Sequence, residues 1–173
     1  MDENRIIVQC QNGDTEAFRA IYERYSQPLL RTARRMLGNL WDAQDAVQTA
    51  FIRLHKSIAR FEGRSAFSSY LFRILINVCY DMLKKRQRMK LAPIENVQDP
   101  IQNDPTEMIA LEQAIDALPP QMRVCFTLFA VEGMRQEDVA DILGLSIGGV
   151  KSNIFHAKNK LRESLRDERI RQS

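Results

Sequence analysis

Apolar residues recur three and four positions apart along nearly the whole of this chain, and no segment sustains alternation at every second position. A three-to-four spacing gathers side chains on one face of an α-helix, whereas a sheet needs the two-residue period. The fold class predicted is therefore all-α. Its seven glycines and six prolines fall between the periodic runs, Pro28 excepted. A short helix fits Glu3 to Gln11, closed by Asn12-Gly13. Asp14 or Thr15 can cap the next, whose stripe is Phe18, Ile21, Tyr22, Tyr25 and Leu29, then Ala33, Met36 and Leu37. Pro28 interrupts this run and is expected to kink it. A third helix fits Trp41 to about Arg60, through Ala43, Ala46, Val47, Ala50, Phe51, Leu54 and Ile58. A loop, Phe61 to Ser65, leads to a fourth helix ending near Arg88, with Phe67, Tyr70, Leu71, Ile74, Leu75, Val78 and Met82 as its stripe.

Periodicity fades from Met89 to Pro105, where three prolines stand among Asp, Asn and Gln, as in a linker. Helices resume from Thr106 to Ala117 and from Leu118-Pro119-Pro120 to about Val131, proline being suited to a first helical turn. The pattern predicts two small helical domains, residues 1–91 and 106–173, joined by residues 92–105.

The net charge of +3 hides a sharper distribution. Residues 61–91 carry seven Lys/Arg against two Asp/Glu, and residues 92–122 carry six acids and no base. A basic block suits a polyanion partner; the acidic one avoids nucleic acid, lies in a basic channel, or solubilises a tether. No apolar run approaches the roughly 20 residues that span a bilayer, and the acidic MDENRIIVQC start lacks the basic, then apolar character of a signal peptide. The compartment expected is the cytoplasm. Cys10, Cys79 and Cys125 are far apart, without CxxC spacing or a histidine nearby, so no metal site and no cofactor is expected. Cys79 and Cys125 sit among apolar neighbours as small core residues.

Gln136 to Leu161, QEDVADILGLSIGGVKSNIFHAKNKL, reads as a helix, a tight turn and a second helix. Val139, Ala140 and Leu143 give the first its apolar stripe. Gly144 supplies a left-handed residue to stop it, and Ser146 an N-cap for the next. Val150, Ile154, Ala157, Leu161 and Leu165 seat the second helix. Its other face carries Lys151, Ser152, Asn153, Phe155, His156, Lys158 and Asn159. A DNA major groove accepts a polar, basic helix face held in this way, although a solvated helical hairpin has the same outline.

Five segments in order, FRAIYERYSQPLLRTARRMLGN, DAQDAVQTAFIRLHKSIARFEG, SAFSSYLFRILINVCYDMLKKRQR, ALPPQMRVCFTLFAVEGM and the hairpin, give the chain a resemblance to bacterial RNA polymerase sigma factors of the extracytoplasmic-function (ECF) group, over about residues 5–168. The resemblance implies a region 2 domain that binds core polymerase and opens the -10 element, and a region 4 domain that reads the -35 element. Asp42, Asp45, Gln48 and Phe51 match the helix that docks on the clamp helices of the β′ subunit; the β flap is the other implied polymerase contact. Arg60, Phe61, Gly63, Arg64, Ser65, Arg73, Asn77, Lys84, Lys85, Arg86 and Arg88 match the part that melts and holds the -10 element. Ser146, Gly149, Lys151, Ser152, Asn153, Phe155, His156 and Lys158 match the -35 helix. An anti-sigma factor is the implied regulator, and no small-molecule substrate is implied. Core packing is expected of at least two among Phe61, Phe67 and Tyr70, and Asp81 is expected to pair with Lys84, Lys85 or Arg73.

The sequence departs from the family's pattern at identifiable places. Gln44 and Thr49 stand where glutamate is usual. Tyr70 replaces a common tryptophan and Gly149 a common threonine, and Asn153, His156 and Lys158 replace three arginines. Fewer guanidinium groups make fewer bidentate guanine contacts, so an altered or weaker -35 preference is expected. Other readings of the residues are a helix-turn-helix regulator acting without polymerase, a decoy that titrates an anti-sigma protein, and a metal-dependent nuclease using Glu16, Asp42, Asp45 and Asp141. The last lacks any motif spacing.

Overall fold

In the computed structural model, which describes residues 3–89 and 106–172, the chain divides into two units, Met1–Glu95 and Asn96–Ser173. No strand occurs among the described residues, and none of their helices is long and apolar enough to cross a membrane. The expected linker, residues 92–105, lies outside the described residues.

The first unit contains α1 (Glu3–Gln11), α2 (Thr15–Leu37), α3 (Leu40–Ser57), a 3-10 turn (Ile58–Arg60) and α4 (Phe67–Arg88). Local chemistry sets each boundary. Gly13 turns the chain at φ +86°, and the Asp14 carboxylate then accepts from the N–H groups of Glu16 and Ala17 at 2.9 and 3.2 Å. This satisfies two of the donors that a helix start leaves unpaired. At the other end of α2, Gly38 (φ +82°) donates to the Arg34 carbonyl at 2.8 Å, and Asn39 caps α3 by accepting from Asp42 N–H at 2.8 Å. Two residues thus stop one helix and start the next. Pro28 does not end the helix: α2 runs through it to Leu37.

Helix α3 turns Ala43, Ala46 and Ala50 inward, all fully buried, and such small side chains let neighbouring helices approach closely. Leu29 and Ala33 of α2 and Leu71, Leu75, Ile76 and Cys79 of α4 complete a core with essentially no exposure. Each buried leucine or isoleucine contributes about 1.5–3 kcal/mol. The single stripe expected for α4 is too narrow. Phe72, Ile76, Cys79 and Ser69 are buried as well, while Tyr70, Ile74 and Met82 are only half-buried. The reason is that α4 packs against both α2 and α3.

The second unit contains α5 (Thr106–Asp116), α6 (Pro120–Phe126), a π-helical segment (Thr127–Val131), α7 (Gln136–Leu143) and α8 (Ile147–Gln172). The continuous helix expected to Val131 widens at Thr127, whose carbonyl accepts from Glu132 N–H, five residues on, at 3.0 Å. Helices α5, α6 and α7 each pack on α8. Ala114, Ile115 and Leu118 meet Ala157 and Leu161, with Met122 and Phe126 alongside. Two expected core residues, Leu143 and Leu165, are half-buried; Ile142 takes the inward place on α7.

Candidate functional site

Three surfaces collect most of the polar residues singled out by the sequence. The first is a groove of about 850 Å³ beside α2 and α3. Its floor includes Phe18, Tyr22, Val47 and Phe51, and its rim carries Gln44, Gln48, His55 and Lys56. The inward alanines of α3 fix the outward direction of Gln44, Asp45 and Gln48, which are exposed. Ile52 is 51% and Tyr22 49% exposed, so the groove offers apolar area to a partner. Phe51, expected both on the apolar stripe of α3 and among the docking residues, lies in the groove floor. It is buried, with its ring centroid 4.8 Å from that of Tyr22 and 6.3 Å from that of Phe18, because its position follows the inward stripe. Asp42 is tied within its own unit. Its carboxylate accepts from the Asn39 amide at 2.9 Å and pairs with Arg86. Arg86 in turn donates to the Leu37 carbonyl at 3.3 Å, and is therefore a tie between helix ends rather than an open phosphate-binding group.

The second surface is the loop between the 3-10 turn and α4, with the outer face of α4. Arg60, Glu62, Gly63, Arg64 and Ser65 are exposed, and Gly63 stands at φ +70°. The Arg64–Glu62 pair at 2.6 Å is too exposed to hold the loop. The loop's stem, by contrast, is built. Phe61 packs against Phe67 and Tyr70 at centroid distances of 5.5 and 4.9 Å. The Tyr70 hydroxyl lies 2.7 Å from Ser57 Oγ, and Ser57 donates to the Arg53 carbonyl at 2.9 Å. The Gln11 amide donates to the carbonyls of Ile58 and Phe61. Phe67 is core, and Tyr70 is a half-buried support. Arg73 and Asn77, one helical turn apart, are exposed, as are Lys84, Lys85 and Arg88. Asp81 pairs with Arg53 of α3, at 3.2 Å. Sequence reasoning missed Gln11, Arg53 and Ser57, whose partners lie elsewhere in the fold or on backbone atoms and leave no local signal.

The third surface is the α7–α8 hairpin. Gly144 (φ +66°) ends α7, and Ser146 Oγ accepts from Gly149 N–H at 3.0 Å, capping α8. A Cβ on residue 149 would come within 3.2 Å of that oxygen, so a larger residue there requires the Ser146 side chain to give by a few tenths of an ångström. Lys151, Ser152, Phe155, His156 and Lys158 are exposed, Phe155 by 60%. Asn153 is half-buried and donates one of its two amide N–H groups to the Gly149 carbonyl at 2.8 Å. Lys158 reaches over the Phe129 ring, 5.4 Å from the centroid.

Among the described residues no three His, Cys, Asp or Glu side chains converge as metal ligands. Cys10, Cys79 and Cys125 are buried free thiols. Burial pushes Cys79 up to about 12 and Cys125 up to about 11, so both thiols are held protonated near neutrality.

Comparison with known proteins relates both units to one family. Residues 21–89 match the model of Sigma-70 region 2, and residues 108–161 that of Sigma-70, region 4. The chain is 32% identical to the ECF RNA polymerase sigma factor SigM of Mycobacterium tuberculosis, over 86% of this chain and 77% of that protein. It is 30% identical to the ECF RNA polymerase sigma factor SigW of Bacillus subtilis, over 93% and 95%. Among solved structures it resembles the sigma factor RpoE bound to the anti-sigma factor NepR from Bartonella quintana (28% identity, TM-score 0.72, 85% of this chain and 97% of that one). It also resembles CnrH in complex with the cytosolic domain of CnrY (26%, TM-score 0.70, 96% and 99%).

Proposed function

The chain belongs to the extracytoplasmic-function group of RNA polymerase sigma factors, and on that premise we propose a division of labour among its three surfaces. The groove, with Gln48 on its rim, and the exposed Asp45 of the same helix dock on the β′ clamp helices of core polymerase, the apolar floor supplying affinity and the polar groups supplying register. The Arg60–Ser65 loop and the exposed Arg73, Asn77, Lys84, Lys85 and Arg88 open the -10 element and hold it. An unstacked base is held by a flexible loop and phosphates by cations; base stacking on an aromatic contributes about 1–3 kcal/mol where one is available. Helix α8 enters the -35 major groove with Lys151, Ser152, Phe155, His156 and Lys158. Asn153 spends one N–H on Gly149, which leaves its second N–H and its oxygen for a base edge. The protein performs no covalent chemistry itself, acts in the cytoplasm, and is held inactive by an anti-sigma factor covering the polymerase-docking groove.

The observation that carries this reading is the pairing of an exposed basic loop-and-helix surface in one unit with an exposed, capped recognition helix in the other. The test is reconstitution: core polymerase, the full chain and a genomic promoter library. Specific transcripts that vanish without the chain support the reading. Their absence over the whole library, with a chain that binds duplex DNA tightly on its own, overturns it.

A further inference from the structure

We propose that Gln11, the last residue of α1, is a positioning residue for promoter opening, which it serves by fixing the stem of the Phe61–Ser65 loop; the inference rests on the loop's role given above. One primary amide carries two N–H groups. Gln11 Nε2 lies 3.2 Å from the Ile58 carbonyl oxygen and 2.8 Å from that of Phe61, partners 47 and 50 residues away in sequence. The Ile58 carbonyl also accepts from Phe61 N–H at 3.0 Å, which closes the 3-10 turn. A single side chain thus reaches both ends of the turn from which the loop departs.

The helix that carries Gln11 is itself anchored. Ile6, Ile7 and Cys10 are buried, and at its start Glu3 accepts from the Tyr25 hydroxyl at 2.6 Å and lies 3.3 Å from Arg24. Helix α1 packs on both α2 and the 3-10 turn. The result is a rigid stem below a tip, Glu62 to Ala66, that is exposed and turns at Gly63. A site that must trap a base during a brief opening gains from such an arrangement, since binding then orders only the tip. Gln11 touches no nucleic acid in this scheme; it acts through the backbone of the loop.

The test uses holoenzyme made with the full chain, on a promoter recovered from the library above and carrying 2-aminopurine in its -10 element. Gln11→Met keeps the length and removes both donors. Gln11→Glu sets a carboxylate against two carbonyl oxygens. Gln11→Arg restores two donors. Opening should slow about tenfold in Gln11→Met, more in Gln11→Glu, and recover in Gln11→Arg, while holoenzyme assembly and closed-complex affinity stay within about twofold. Arg above Met follows donor number, and Met above Glu follows the repulsion between a carboxylate and two carbonyl oxygens; neither step follows side-chain bulk. Opening at the wild-type rate in Gln11→Met, or parallel losses in assembly, closed-complex affinity and opening, would overturn the proposal. A wild-type holoenzyme that transcribes but never gives a 2-aminopurine signal would instead overturn the loop's assigned role, and this inference with it.

Discussion

The guanidinium of Arg86 lies among the ends of three helices, bonding Asp42 at the start of α3 and the Leu37 carbonyl at the end of α2 from its own place near the end of α4. Its neighbours Lys84, Lys85 and Arg88 share its charge and its helix but are exposed. Alanine substitutions should separate the two classes. Arg86→Ala removes a charge-assisted bond from a pair whose side chains are only 19% and 32% exposed, and should cost on the order of 1–3 kcal/mol; Asp42 keeps Asn39 as a partner. Thermal unfolding would show this as a clear fall in Tm. Lys84→Ala, Lys85→Ala and Arg88→Ala should each change stability by less than about 0.5 kcal/mol, yet flatten the salt dependence of promoter binding by about 0.9 in log–log slope for every phosphate left without its cation. A buried thiol gives a second residue-scale prediction. Cys79 has no exposure, and its ordinary value of 9.0 rises to about 12. Below pH 9 folded and unfolded chains both hold the proton, so stability is complete. Above it the unfolded thiol ionises and the folded one does not, so stability falls as pH climbs from 9 toward 12. Urea midpoints across that window should decline more steeply for the native chain than for Cys79→Ala.

Helix ends were legible wherever a boundary was written in local chemistry. Asn12-Gly13, Asp14, Gly38-Asn39, Gly144 and Ser146 all occupy the terminating or capping places their residue types suggest. Burial was less legible, because a stripe records only one packing partner. Helix α4 has two, and its extra buried face, Phe72 and Ile76 among it, looks the same in sequence as exposed apolar residues elsewhere. The widening at Thr127 had no signal either, since a π-type bond is a backbone event. Among the candidate site residues, the outward face of α8 was readable from its period. The diversion of Asp42, Arg86 and Asn153 to internal bonds was not, because each depends on a partner fixed by the fold or by rotamer. The hairpin turn offers a clean measurement at this scale. Gly144 has φ +66°, and nothing lies within 4 Å of an added Cβ. Gly144→Ala therefore meets backbone strain alone, about 1–2 kcal/mol, and Gly144→Asn should cost less, because asparagine tolerates the left-handed region. Denaturant unfolding of the two variants tests that order; equal costs would mean the turn adopts another conformation.

At the scale of the whole molecule, the charge distribution and the two-unit division bear on one question, namely why the two proposed DNA-reading elements belong to one chain. The first unit ends in a basic helix, and the second holds a recognition helix with only two lysines, Lys151 and Lys158, among its expected DNA contacts. A helix with no arginine among those contacts makes few bidentate guanine contacts, so the second unit alone is a weak reader of base edges. Two readers on one chain gain from effective concentration, which raises joint affinity by about 10²–10⁴ over either alone when both can engage. The acidic stretch between residues 92 and 122, with no lysine or arginine, does not compete for the same phosphates. The prediction follows directly. A specific protease site placed between residues 95 and 105 of the full chain should leave the uncut holoenzyme active. Cutting it before promoter binding should reduce promoter-specific initiation by about 10²-fold or more, while core-bound first unit remains detectable by pull-down. Cutting after open-complex formation should have a much smaller effect, because the -10 element is already held. If severed and intact chains initiate equally well from -35-dependent promoters, the covalent connection contributes nothing to recognition, and the second unit must instead be retained by its own contact with polymerase.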